Sequence, residues 1–257
     1  MTIINRRQED ILRELNEKGY VSVADLCETL NVSTVTIRKD LTFLENEKLL
    51  HRTHGGASKQ PIYAFERDIN DKEGLQVEQK MQIAKEALKY IDNNDYMILG
   101  SGSNIHYLSC IIKGFHKLTI LTPSLKVALE LSKETKIDTI QLGGDVRNSS
   151  TSVVGPTAEA SLSNFSCNKL FLGADGIHFG FGLSTSNSLE AHLNQAMIEV
   201  SDKIIVLADS TKMNIKGFGK ICNLDKIDVL ITDSGIDAET KIKLEEIGID
   251  VVIAQHV

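Results

Sequence analysis

The sequence predicts two domains of different class: a winged helix-turn-helix over residues 1–57, and a larger, mostly parallel α/β domain over 76–257. Three observations carry this. Within the first sixty residues three short helical patterns follow one another, each with its own start signal, and a Gly-Gly turn comes after the third. From residue 95 onward, β-like runs alternate with helical ones, the pattern of a parallel sheet covered by helices on both faces. Between the two lies a polar, proline-containing stretch without clear periodicity, SKQPIYAFERDINDKEGL at 58–75, which reads as a linker.

In the first helix Ile4, Ile11, Leu12 and Leu15 recur at helical spacing, and Gly19 ends the run. The second opens at Ser22 with Asp25 three residues on, a hydroxyl and a carboxylate placed to satisfy the free amides of a helix start. Val23, Leu26 and Leu30 form its apolar stripe. Asn31-Val32 makes a tight break, Ser33 caps the third helix, and Ile37, Leu41 and Leu44 share one of its faces. The other face carries Val35, Arg38, Lys39 and Thr42, after the small hydroxyl residues Ser33, Thr34 and Thr36.

Short donors at the helix start, a methyl surface for thymine, and cations for guanine or phosphate are what a major-groove helix needs. Asp40, Glu45 and Glu47 are expected toward the flank or far end of this helix. After it, Leu49-Leu50-His51-Arg52 reads as a short strand and Gly55-Gly56 as the turn of a wing, with Arg52 and His54 beside the DNA backbone. Residues 1–60 hold nine Lys/Arg against nine Asp/Glu, whereas 61–257 hold 19 against 26, so the net charge of −7 belongs to the second part. A neutral first domain binds DNA only if its charges are polarised. The same domain with merely solvated Arg38, Lys39 and Arg52 is the plainer reading; the agreement of caps, turn and basic wing weighs against it.

A helix follows the linker over 78–91, with Val77, Met81, Ala84, Leu88 and Ile91 as its stripe. Strands are predicted at 96–100, 117–122, 138–144, 169–176, 203–209, 229–232 and 251–254, and helices near 104–113, 124–134, 157–164, 187–202 and 238–247. Ligands of such sheets sit at the C-terminal strand ends. Those ends hold Gly100-Ser101-Gly102-Ser103-Asn104, then Thr122-Pro-Ser124, Gly143-Gly144, Asp175-Gly176 and Asp209-Ser-Thr-Lys212. Glycines admit an anion to backbone amides and a helix N-terminus favours negative charge, although a tight βα turn needs the same glycines for shape alone. Hydroxyls, glycines, aspartates and a lysine gathered at one edge predict a polar, anionic ligand.

The run VSVADLCETLNVSTVTIRKDLTFLENEKLLHRTHGGA at 21–57 resembles the N-terminal signature of the DeoR family of bacterial regulators. Lys39 stands where that signature has a second arginine, which keeps the charge but loses the planar fork. The second part resembles the family's sensor domain, itself similar to ribose-5-phosphate isomerase. The resemblance assigns Ser101–Asn104 to the phosphate loop, Asp175-Gly176 to an Asp-Gly motif, and Lys212 to an Asp-x-x-Lys motif. It also places the glycine-rich stretch 178–192, with Thr185 and Glu190, where the isomerase keeps a lysine-bearing loop and a catalytic glutamate. Gly100 replaces an aspartate usual in the sensors, His178 replaces the second aspartate of the isomerase motif, and no lysine lies between Asp175 and Glu190.

The resemblance implies a repressor of a sugar-catabolism operon. It would bind double-stranded operator DNA as a homodimer or higher homo-oligomer and be released by a phosphorylated sugar. A sugar-phosphate isomerase with an accessory DNA-binding domain is the competing reading, and the missing lysine and second aspartate count against it.

Hydrophobic residues make up 42% and charged residues 25%, ordinary for a globular protein, and no apolar run approaches a bilayer span. The N-terminus lacks the apolar core of a signal peptide. Cys27, Cys110, Cys167 and Cys222 are far apart among apolar residues, so buried reduced thiols are expected. The seven histidines show no metal-ligand spacing. A cytoplasmic protein without metal, cofactor or catalytic residue is the expectation.

Overall fold

A computed structural model describes residues 4–47, 49–52, 55–58, 64 and 66–255. The chain divides into two compact units, Met1–Ile62 and Tyr63–Val257.

The first unit contains α1 (Arg6–Lys18), β1 (Tyr20–Ser22), α2 (Val23–Leu30), α3 (Thr34–Asn46), β2 (His51–Arg52) and β3 (Gly56–Ser58). Its helix boundaries follow local chemistry. Asn5 and Gln8 form a reciprocal capping box at the start of α1, and Gly19 ends it in the left-handed conformation at φ 71°. The Ser22 hydroxyl accepts from the Asp25 amide at 3.0 Å, and Asn31 closes α2 at φ 51°. Ile11, Leu15, Leu26, Ile37, Leu41 and Leu44 fill the core, with Ile4, Leu12, Val23 and Leu30 packed partly buried around it. The three strands pair antiparallel in the order β1-β3-β2, which is the wing. Gly56 is required there, since a Cβ would lie 2.0 Å from the Val21 carbonyl oxygen.

One acidic residue differs from expectation. Asp40 is buried, three residues beyond Ile37 on the inward face of α3. It accepts from Arg7 Nε at 2.5 Å and Gln8 Nε2 at 3.1 Å, so it fastens α3 to α1 rather than flanking the outer surface.

The second unit begins inside the predicted linker, with α4 (Ile69–Glu73) capped by Asp68, and continues with α5 (Val77–Leu88). Ser58, the first residue of that predicted linker, belongs to β3 of the wing. Then come β4 (Tyr96–Leu99), α6 (Ser103–Ile111), β5 (Leu118–Thr122), α7 (Leu125–Leu131), β6 (Ile137–Gln141), β7 (Asp145–Arg147), β8 (Ser152–Val154) and α8 (Pro156–Leu162). The remainder is β9 (Lys169–Gly173), β10 (Gly176–His178), β11 (Gly182–Thr185), α9 (Ser188–Glu199), β12 (Ile204–Leu207), β13 (Gly219–Cys222), β14 (Val229–Thr232), α10 (Ala238–Glu246) and β15 (Asp250–Ile253).

The seven predicted strands form one parallel sheet in the order β15-β14-β12-β9-β4-β5-β6. Alternate residues feed two cores. Ile98, Leu170, Leu172 and Val206 pack with Ala158, Leu193, Met197 and Leu244 of α8, α9 and α10. Met97, Leu99, Phe171 and Ile205 pack with Ile83, Leu108 and Val127 of α5, α6 and α7 on the other face. Chain order runs outward from β4 through β5 to β6, then restarts beside β4 at β9 and runs the other way. The reversal between β4 and β9 is a topological switch point, where the connections leaving neighbouring strands part to opposite faces of the sheet.

Two small antiparallel sheets, β7-β8 and β10-β11-β13, sit beyond the main one. They take residues that the sequence assigned to longer strands or loops; the predicted strand 169–176 ends at Gly173, and Gly176 starts β10. The apolar stripe of α5 also differs: Lys80, Ile83, Ala84 and Ala87 are buried, and Val77 is exposed. Of the cysteines Cys167 is buried and the other three are half-buried; all four are free thiols. Among the described residues no helix is long and apolar enough to cross a membrane.

Candidate functional site

On α3 the predicted contact residues separate into two groups. Thr34, Val35, Arg38 and Lys39 are exposed, Val35 by 60%, opposite the buried Ile37, Leu41 and Leu44. No hydrogen bond holds these four side chains among the described residues. The others are already engaged. Ser33 is the N-cap, its hydroxyl accepting from the Thr36 amide at 3.3 Å and lying 3.0 Å from Thr36 Oγ1. Thr42 Oγ1 donates to the Arg38 carbonyl at 2.8 Å and accepts from Arg52 Nη1 at 2.9 Å. Thr42 therefore ties the wing arginine to the helix. The Arg52 amide donates to Glu45 Oε1 at 3.0 Å, so that carboxylate turns toward β2. With Asp40 neutralised by Arg7, the cations Arg38 and Lys39 stand clear on the outer face. His54 lies outside the described residues.

In the second unit the parallel strands bring the predicted loops to one edge. At the switch point, the Gly100 amide donates to the Phe171 carbonyl at 2.9 Å, and a Cβ on Gly173 would lie 2.9 Å from the Ser101 carbonyl oxygen. The two loops touch backbone to backbone, which only glycines allow. Gly102 caps α6 at φ 113°, open to glycine alone, and no side chain caps this helix. Ser103 and Asn104 follow in its first turn, both buried, and Asn104 Oδ1 has no hydrogen-bond partner among the described residues. First-turn amides without a side-chain cap suit an anion.

Asp175, in the bend between β9 and β10, is held by several donors. Its Oδ2 accepts from the Ser186 amide at 3.0 Å and hydroxyl at 2.9 Å, with Thr185 Oγ1 at 3.1 Å; its Oδ1 accepts from Lys72 Nζ at 2.7 Å. Burial alone raises the Asp175 pKa, but the Lys72 ammonium and the Ser186 donors outweigh it and hold the carboxyl at about 2. Thr185 Oγ1 also stands 3.1 Å from Glu190 Oε2, and Glu190 Oε1 lies 3.3 Å from Arg147 Nη1. The result is a chain of polar contacts from Lys72 through Asp175, the Thr185 hydroxyl and Glu190 to Arg147. Lys212, in the turn Ser210–Lys212 after β12, has no acceptor for its ammonium among the described residues.

The remaining predicted residues have local roles. Thr122 Oγ1 accepts from the Ser124 amide at 3.1 Å, and Ser124 in turn caps α7. Gly144 packs where a Cβ would lie 2.8 Å from the Val154 carbonyl oxygen, Gly176 where it would lie 2.4 Å from that of Ile215, and Gly143 faces open space.

Lys72, Lys80, Glu66 and Arg147 escape sequence reasoning. Lys80 is buried and its ammonium donates to the Lys72 and Leu75 carbonyls. Burial lowers its pKa, and the nearby charge of Asp209 opposes that shift. His106 and Cys110 on α6 lie with Glu130 so that one potential ligand atom from each falls within 4.8 Å of the others, a spacing the sequence reading passed over. Existing partners already occupy this trio, since His106 Nδ1 is 2.8 Å from Glu73 and Glu130 pairs with Lys133.

Comparison with known proteins follows the same division. A family model described as the DeoR C terminal sensor domain matches residues 75–234, and one described as a DeoR-like helix-turn-helix domain matches 7–60. A "Putative aga operon transcriptional repressor" of Escherichia coli O157:H7 is 36% identical over 98% of this chain and 95% of its own length. A "Lactose phosphotransferase system repressor" of Staphylococcus epidermidis is 31% identical over 93% of this chain and 95% of its own. A solved D-ribose-5-phosphate isomerase in complex with phospho-erythronic acid aligns over 53% of this chain and 54% of that one, at 19% identity and a TM-score of 0.40, too slight a likeness to argue from. With both domain models matched in order and relatives aligned nearly end to end, the chain belongs to the DeoR family of transcriptional regulators and is not an enzyme.

Proposed function

We propose that this protein is a cytoplasmic, homo-oligomeric repressor of a sugar-catabolism operon that leaves its operator when a phosphorylated sugar binds the second unit. The observation that carries the effector half is the switch point between β4 and β9. The uncapped first turn of α6, an Asn104 side-chain oxygen without a hydrogen-bond partner among the described residues, Asp175 and Lys212 follow the C-terminal ends of the neighbouring strands β4, β9 and β12, which supports this reading. The phosphate meets the Ser101–Asn104 loop and Lys212, where amides, hydroxyls, helix dipole and ammonium together offset an acidic domain. The sugar's hydroxyls meet Asp175, Thr185 and Glu190. The names of the two relatives, repressors of the aga operon and of a lactose phosphotransferase system, support sugar control.

On the DNA side, Thr34, Val35, Arg38 and Lys39 read the major groove of operator DNA. Ser33, Thr36 and Thr42 shape the helix and hold Arg52, which with His54 meets the backbone from the wing. Glu190, held by Arg147 and Thr185 with no lysine nearby in sequence, serves as a binding carboxylate rather than a base.

A thermal-shift panel tests the effector half: phosphorylated pentoses and hexoses against the same sugars without phosphate. At least one sugar phosphate is expected to raise the melting temperature while its parent sugar and inorganic phosphate do not. Stabilisation by the neutral sugar alone would contradict a phosphate site.

A further inference from the structure

Helix α4 is fastened to the candidate effector loops at several points. Lys72 Nζ reaches Asp175 Oδ1 at 2.7 Å, and the Ile69 amide donates to the Ser149 carbonyl at 2.7 Å. Glu73 takes Lys126 Nζ at 2.8 Å and His106 Nδ1 at 2.8 Å. Just before the helix, Glu66 pairs with Arg147, the residue that also contacts Glu190. A helix of five residues is far below the length that holds itself in water, so α4 persists through these contacts. Buried Lys80 adds to them by closing the carbonyls of Lys72 and Leu75.

We propose that α4 is a latch released by the effector, with Lys72 as the positioning residue that competes with the ligand for Asp175. This rests on the effector reading above. Asp175 Oδ2 already faces three donors, whereas Oδ1 has Lys72 as its donor among the described residues. A sugar hydroxyl that donates to Asp175 therefore takes the place of the ammonium, which is left without that partner. Arg147 stands in the same relation to Glu190 and Glu66. Once the ligand's hydroxyls displace Lys72 from Asp175, α4 loses the ion pair that ties it to the loop after β9 and is held more weakly, by Glu73 and the Ile69 amide. It begins seven residues after the boundary at Ile62, in the chain that leads to the DNA-binding unit. The ligand binds the unlatched state more tightly, which is the condition for any coupling between two sites.

The test compares the full-length parent with Lys72→Met, Lys72→Arg and Glu66→Gln. Affinity for an operator selected from random duplexes is measured without effector, and amide hydrogen exchange is followed across 66–75. Binding of ribose 5-phosphate and glucose 6-phosphate is measured by calorimetry, with inorganic phosphate as control. Lys72→Met is expected to bind operator about tenfold more weakly with no ligand present, within the usual range of allosteric coupling. It should also exchange faster over 69–75 and bind a sugar phosphate at least as tightly as the parent; Lys72→Arg should restore all three. Parental operator affinity and exchange in Lys72→Met overturn the latch. Weaker sugar-phosphate binding with parental operator affinity also overturns it, by making Lys72 a plain ligand contact. If Lys72→Met does not fold, Glu66→Gln decides, because Glu66 is half-exposed and does not touch Asp175: faster exchange and weaker operator binding support the latch, and parental behaviour rejects it. A parent that binds no sugar phosphate sinks the effector reading, while the operator and exchange measurements still decide whether α4 is a latch.

Discussion

Asp175 shows how one residue sets a pH limit. Its carboxyl is held at about 2, below the usual 3.8, so its ion pair contributes stability that is complete above about pH 4 and is lost as pH falls toward 2. The shift corresponds to roughly 2 kcal/mol, since one unit is about 1.4 kcal/mol. Asp175→Asn is therefore expected to melt below the parent at pH 6, with the difference closing as pH approaches 2; a constant difference across that range would mean another group carries the acid sensitivity. Arg38 belongs to the same scale. It is exposed opposite the core face of α3 and no acceptor holds its guanidinium among the described residues. Arg38→Ala should keep the parental melting temperature and weaken operator binding. A lost base contact costs about 1–3 kcal/mol and relaxes sequence preference, whereas a lost phosphate contact weakens all sequences alike and flattens the salt dependence. Unchanged operator affinity would remove α3 from the groove.

Single elements rest on backbone approaches that substitution can probe. The wing closes only because Gly56 lies against β1, so Gly56→Ala must push the strands apart. Overpacking of this kind costs roughly 1–3 kcal/mol, read as a lower unfolding midpoint of the first unit. Gly55→Ala, where a Cβ meets nothing within 4 Å, is the control and should stay close to the parent. Elements were legible in the sequence where burial and period coincide. Ile37, Leu41 and Leu44 mark the inner face of α3, and the inner strands β4, β12 and β14 read as largely apolar runs. The short strands β10 and β11 were not legible. They have three and four residues, two of them glycines, and no alternation to read. Nor were the charges that complete the site. Lys72 meets Asp175 across 103 positions and Arg147 meets Glu190 across 43, so no local pattern announces either pair. Lys80 looks like a solvated lysine until the carbonyls it closes are known. Asp40 looked peripheral for the same reason, because its partners Arg7 and Gln8 sit on another helix.

The whole molecule matches one family of transcriptional regulators across both of its units. It should not interconvert ribose 5-phosphate and ribulose 5-phosphate; turnover above ~1 s⁻¹ in a coupled assay, the low end of ordinary enzymes, would restore the isomerase reading. The more direct question is whether one ligand speaks to both units. The deciding measurement is a titration of sugar phosphate into the protein–operator complex, followed by fluorescence anisotropy of the DNA, for the parent and for Ser103→Ala and Lys212→Ala. Both variants should bind operator as the parent does without ligand and need at least tenfold more sugar phosphate to release it, in keeping with a coupling of about 1–3 kcal/mol. Release of parent and variants at the same concentration, or a parent complex that no sugar phosphate dissociates, would contradict an effector site at the C-terminal edge of the sheet.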